Sequence, residues 1–133
     1  MIQEDKDLLF KDLCARLPYG VKCENFSDTY GRNVFKVTDI RDNGYICGII
    51  DGQYGSSVFD PLELKPYLFP LSSMTEEQRQ ELESLMEVTT VPAWGEILSP
   101  TTEYYDWLNK NHFDYRGLIE KGLAIDATGQ NIY

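Results

Sequence analysis

Apolar residues recur at helical spacing in the first stretch of the chain. In DKDLLFKDLCARLPYG, Leu9, Phe10, Leu13, Cys14 and Leu17 share one face at the 3.6-residue period, while Asp5, Asp12 and Arg16 point away from it. The spacing predicts an amphipathic helix. Pro18 restricts the residue before it and Gly20 accepts turn conformations, so the helix stops there.

From Val21 to Phe59 the pattern shortens to runs rich in β-branched and aromatic residues: VKCENF, NVFKVTDI, YICGII and SSVF. Each reads as a strand. Asn43-Gly44 suits a type I′ hairpin turn, whose central residues both need positive φ, and Asp51-Gly52 with Tyr54-Gly55 marks a second turn. The expected product is an antiparallel meander of three or four strands, which needs a helix against one face to be stable.

DPLELKPYLFPLSSM carries prolines at 61, 66 and 70, which predicts a surface crossing in extended or single-turn form, its aromatic residues covering the open sheet edge. Thr75 with Gln78 forms a capping-box pair, and Glu76 and Glu77 lie where the helix dipole favours negative charge. A helix follows, with Leu82, Leu85 and Met86 in one stripe. VTTVPAWGEILSP reads as a short strand and a loop, and Ser99 before Pro100 as the cap of a third helix, Thr101 to Asn111. Asp114 then caps a short final helix, YRGLIEK, ended by Gly122, and LAI leads to an edge strand; Gly117 marks a local break or a close backbone approach.

Strands followed by helices predict an α+β fold, a single domain over residues 1–133. It has an amino-terminal helix, a small antiparallel sheet, for which an SH3-like partial barrel is one form, and two or three carboxyl-terminal helices packed on it. A chain of 133 residues can bury about two-thirds of its unfolded surface, and 42% hydrophobic with 13% aromatic residues is not the profile of a disordered chain.

Charge narrows the partners. With 22 acids against 12 bases the net charge is −10, which removes the counterion-release term behind most non-specific nucleic-acid affinity, so no direct nucleic-acid binding is expected. No run approaches the ~20 apolar residues of a bilayer span, and the amino terminus is acidic and amphipathic, which leads to an expectation of the cytoplasm and no membrane partner. Cys14, Cys23 and Cys47 form no CxxC pair and are expected to be buried and reduced; no metal and no cofactor is expected.

His112 is the only histidine. It lies four residues after Leu108 and seven after Tyr105, on the inward face at a helix carboxyl end, where it can hydrogen-bond a free carbonyl. The chemical alternative pairs it with Cys14 or Cys23 as a nucleophile, oriented by Asp114, in a small hydrolase or transferase. No P-loop, GxGxxG, HExxH or GxSxG motif accompanies it.

Three blocks, LLFKDLCARLPYGVKC at 8–23, KPYLFPLSSMTEEQ at 65–78 and DWLNKNHFDYRGLIEKGLA at 106–124, resemble a group of uncharacterised small proteins from gut Bacteroidetes bacteria and their prophages or mobile elements. The resemblance covers under half the chain and implies an intracellular protein of a bacterium or its phage. Phe69 departs from the basic residue found at that place in the group, which weakens an anionic ligand there.

The leading functional expectation is a non-enzymatic protein-binding or regulatory protein whose partner is another protein. Its surface would be a contiguous exposed aromatic patch of Tyr67, Phe69, Trp94, Tyr115 and Arg116. A second expectation is an acidic inhibitor that imitates nucleic acid and binds a basic protein, since TEEQRQELESLMEV holds five acids and one base. The Cys/His enzyme ranks below both. A helix-turn-helix over the last segment ranks last, because Lys110, Arg116 and Lys121 face five acids from Glu103 onward.

Overall fold

The computed structural model describes residues 2–27 and 31–133. Helix α1 (Gln3–Arg16) runs into a 3-10 turn closed by Gly20, whose φ of 71° lies in the left-handed region. Strands β1 (Lys22–Ser27), β2 (Gly31–Ile40), β3 (Ile46–Ile50) and β4 (Ser57–Phe59) then meander antiparallel, as the alternation predicts. After a 3-10 turn at Pro61–Glu63 come β5 (Leu64–Pro70), helix α2 (Glu76–Glu83), a hairpin of β6 (Met86–Val91) and β7 (Gly95–Pro100), helix α3 (Thr102–Lys110), and the short strands β8 (Phe113–Asp114) and β9 (Ile125–Asp126). The architecture is mixed α and β: an amino-terminal helix, a mostly antiparallel sheet in the order β4-β3-β2-β1-β5-β8, and helices later in the chain.

The face of α1 differs from the periodicity reading. Leu9, Asp12, Leu13 and Arg16 are buried, at i, i+3, i+4 and i+7, while Phe10 and Cys14 are exposed. A carboxylate and a guanidinium spaced i,i+4 resemble a solvated surface pair in sequence. They turn inward here because groups from the far end of the chain satisfy them. Leu9 and Leu13 join Val21, Cys23, Phe35, Val37, Ile46, Phe59 and Leu64 in the main core, so the helix covers one face of the sheet.

The proline-rich segment is also not a surface crossing. β5 pairs with β1 on one side (Cys23↔Pro66, Asn25↔Leu64) and with β8 and β9 on the other (Phe69↔Phe113, Tyr67↔Ile125). Proline is usually confined to sheet edges. Here the two sides use different halves of the strand: β1 takes residues 64–66, and β8 and β9 take 67–70. Each half is therefore an edge on one side. Where the β1 ladder ends, the Tyr133 hydroxyl donates to the Tyr67 carbonyl at 2.7 Å and accepts from the Lys22 amide at 3.0 Å, bridging the two strands.

Turns and caps follow local chemistry with three changes. In the β2–β3 turn the Gly44 amide donates to the Arg41 carbonyl and the Arg41 amide to Tyr45, with Gly44 at φ 89° and no positive φ at Asn43. This is a three-residue loop with one left-handed glycine rather than a type I′ turn. Thr75 and Gln78 form the full capping box. Thr101, not Ser99, caps α3 by accepting from the Tyr104 amide. Asp114 does cap, accepting from the Leu118 and Ile119 amides, but the segment it caps is turns and not a helix. Gly117 at φ 75° and Gly122 at φ 73° lie outside the right-handed helical region before and at the end of these turns, so the turned segment stays short.

VTTVPAWGEILSP is a complete hairpin, in register from Met86↔Pro100 to Val91↔Gly95. No helix among the described residues is long and apolar enough to cross a membrane.

Candidate functional site

The five residues singled out above do not form one exposed patch. Tyr67 is buried in β5, and Phe69, two residues on, is half-buried. Phe69 and Tyr115 both pack against Leu82, Leu108 and Phe113, between β5, α2 and α3. Arg116 lies over the Tyr115 ring, 4.5 Å from its centroid. Trp94, 80% exposed at the tip of the β6–β7 hairpin, makes no ring contact with the other four among the described residues.

Beneath Tyr115 is a buried ionic centre. Asp12 accepts from Arg16 Nε at 2.9 Å and from Arg116 Nη1 at 2.7 Å, and Arg16 Nη2 donates to the Phe113 carbonyl at 2.6 Å. Arg16 Nη1 is buried without a hydrogen-bond partner among the described residues. Two cations share one carboxylate, and the arrangement joins α1 to the carboxyl-terminal segment.

His112 is next to this centre. It is buried and faces inward, as the spacing from Leu108 requires, but the expected side-chain bond to a free carbonyl is not seen among the described residues, where Nδ1 has no hydrogen-bond partner. Its backbone closes α3 instead, with φ at 61°, its amide donating to Asn109 and its carbonyl accepting from Phe69 at 2.8 Å. The ring stacks on Tyr133, centroids 3.7 Å apart. Burial first, and the positive charge of Arg16 second, push its pKa down to about 4, so the imidazole is neutral at pH 7.

The nucleophile pair has no matching geometry. No hydrogen bond joins His112 to Cys14 or Cys23 among the described residues. The Cys23 thiol is fully buried and pushed far up, by desolvation and then by Asp12, which keeps it protonated. Cys14 was expected to be buried and is exposed; its pKa is also raised by desolvation. No group of three His, Cys, Asp or Glu side chains is placed to hold a metal ion among the described residues.

The accessible apolar surface is elsewhere. In the β6–β7 register Met86, Val88, Leu98 and Pro100 share one face, and Val88 and Leu98 are 55% and 64% exposed. A cleft of about 580 Å³ opens beside this face, lined by Leu71, Met74, Leu82, Met86, Leu98 and Tyr104, with Arg79 and Glu83 as its charged members. Neither outer edge of the hairpin pairs with another strand among the described residues. Acids surround it: Glu76, Glu77, Glu81 and Glu83 on α2, and Glu87 and Glu96 on the hairpin, are all exposed. Sequence reading reached Trp94 but missed Val88 and Leu98. The signal was the alternation of VTTV and EIL around Pro92 and Gly95.

Comparison with protein-family models, with curated proteins and with solved structures gave no match.

Proposed function

We propose that the chain is a non-enzymatic protein-binding or regulatory protein that uses the β6–β7 hairpin as its contact surface. The observation that carries this reading is the exposure of Trp94, Val88 and Leu98 on a hairpin with two open edges, next to an apolar cleft. Exposed apolar surface bounded by charge is characteristic of protein-binding sites, and an open strand edge adds main-chain hydrogen bonding to a bound segment. The six exposed carboxylates on α2 and the hairpin favour a partner segment that carries basic residues beside its apolar ones. Of the five residues selected from sequence, Trp94 is the one this reading keeps.

The acidic-mimic reading rests on the same acids and on the net charge of −10. It differs in needing no apolar anchor. We also infer an SH3-like partial barrel for β1–β5; the order β4-β3-β2-β1-β5, with a 3-10 turn between β4 and β5, supports it. The three free cysteines support a reducing compartment, and the three resembling blocks support a bacterial or prophage cytoplasm as that compartment.

The test is a capture experiment from bacterial lysate with the wild type, Trp94→Ala and Leu98→Asp, at low and high salt. The expected result is a specific protein that survives high salt on the wild type and is lost on both variants while their circular dichroism is unchanged. Retention on both variants overturns the hairpin reading. Loss from all three at high salt moves the acidic-mimic reading to first place.

A further inference from the structure

A second cavity lies in the sheet itself. β1 and β4 are separated by two strands in the sheet, yet residues of both line one cavity of about 560 Å³, so the sheet curls round it. Its lining is Asn25, Asn33, Ser57, Gln53, Asp60 and Glu63 with Ile50, Val58 and Phe59. A volume in this range at the mouth of a curled sheet, with a few convergent polar groups, is the usual form of a small-ligand site.

The polar groups follow a pattern. Cys23, Phe35 and Phe59 are buried core residues on β1, β2 and β4. Two residues along each strand, on the same face and at the same end of the sheet, stand Asn25, Asn33 and Ser57. Asn25 and Asn33 are direct partners in the ladder, and Ser57, opposite Gly48, lies toward the same end of its strand. Asn25 is itself buried, at 7% exposure, and its Oδ1 has no hydrogen-bond partner among the described residues. A buried amide oxygen left unpaired is costly, and a donor entering the cavity would remove that cost.

The chemistry of the ligand follows from what lines the cavity. Amide, hydroxyl and carboxylate oxygens supply acceptors, Asp60 and Glu63 supply two negative charges, and no lysine, arginine or histidine is among the described residues that line the cavity. An anion would be repelled by the Asp60 and Glu63 carboxylates. A guanidinium group, planar, always charged and carrying five donors, matches several acceptors at once. We propose that this mouth binds a guanidinium group, carried either by a small free amine or by an arginine side chain of another protein. This site is independent of the hairpin.

The test is a titration of the isotope-labelled full chain, followed by amide and side-chain NMR shifts, with three probes: agmatine, a blocked Gly-Arg-Gly peptide, and glutarate as an anionic control. Expected are saturable shifts centred on Asn25, Asn33, Gln53 and Ser57 with the two guanidinium probes and none with glutarate. Glu63→Gln and Asp60→Asn should each weaken binding about tenfold, and both variants should keep the wild-type spectrum elsewhere, because Glu63 is exposed and asparagine can replace Asp60 as acceptor for the Leu62 amide. Tighter binding of agmatine identifies a free small molecule, and tighter binding of the peptide identifies a partner's arginine. The proposal is overturned if neither guanidinium probe saturates at millimolar concentration, if the shifts lie elsewhere, or if both variants bind as the wild type does.

Discussion

Arg116 Nη1 lies 2.7 Å from Asp12 Oδ1, joining two residues 104 positions apart. Asp12 also holds Arg16, and Arg16 in turn holds the Phe113 carbonyl, so one fully buried carboxylate fastens the first helix to the carboxyl-terminal segment. Removing one partner of a buried ion pair leaves the other uncompensated, which typically costs about 3–5 kcal/mol. Asp12→Ala should therefore lower the unfolding free energy by about that amount, since it strands Arg16. Arg116→Ala, which removes a partly exposed partner and leaves the Asp12–Arg16 bond, should cost about 1–2 kcal/mol. Urea unfolding of both variants measures the difference. A reversed order would mean that Asp12 depends on Arg116 more than on Arg16.

His112 makes stability depend on pH. Its pKa in the folded chain is about 4, against 6.5 when unfolded, so the unfolded state binds more protons between those values. The contribution of this group is fully present above pH 6.5, falls as pH drops toward 4, and changes no further below. Asparagine tolerates the left-handed backbone at φ 61° and does not titrate, so His112→Asn removes the effect without forcing the turn. The stability of the wild type minus that of His112→Asn should decline from pH 7 to pH 4.5. A flat or rising difference would show that the imidazole gains a partner when protonated.

The meander, the capping box at Thr75 and the helix at 102–110 were legible in sequence because each rests on local periodicity or on side chains within three residues of one another. The inward face of His112 was legible for the same reason. The burial of Asp12 and Arg16 was not, because what satisfies them is a carbonyl and a guanidinium near residues 113 and 116. The place of β5 inside the sheet was hidden by its prolines, which are tolerated only because its two halves pair on opposite sides. The aromatic patch failed on similar grounds: Tyr67, Phe69 and Tyr115 have the composition of an anchor, but tertiary packing takes their surface into the core. Trp94 stays exposed because it stands at the hairpin tip, where every residue from 92 to 98 is exposed.

Gly48 offers the sharpest test of the curled sheet. Its backbone does not lie at positive φ, so a side chain is excluded by space and not by conformation. A Cβ there would run into the Phe35 ring and lie 2.7 Å from the Lys36 carbonyl oxygen. Phe35 has little freedom to move aside, since it is fully buried and stacked on Phe59 with ring centroids 3.9 Å apart. Glycine thus lets the aromatic pair sit against β3, inside the curve. Gly48→Ala should destabilise by about 1–3 kcal/mol, the usual cost of an extra carbon in a filled core. Phe35→Leu in the Gly48→Ala background should then cost less than Phe35→Leu alone, because the shorter side chain relieves the clash. Chemical denaturation of the two single variants and the double variant supplies the cycle. Additive costs would place the obstruction at the Lys36 backbone rather than at the ring, and Gly48→Ala within half a kcal/mol of wild type, a threshold on the order of a neutral surface change, would mean that β3 can shift away from Phe35.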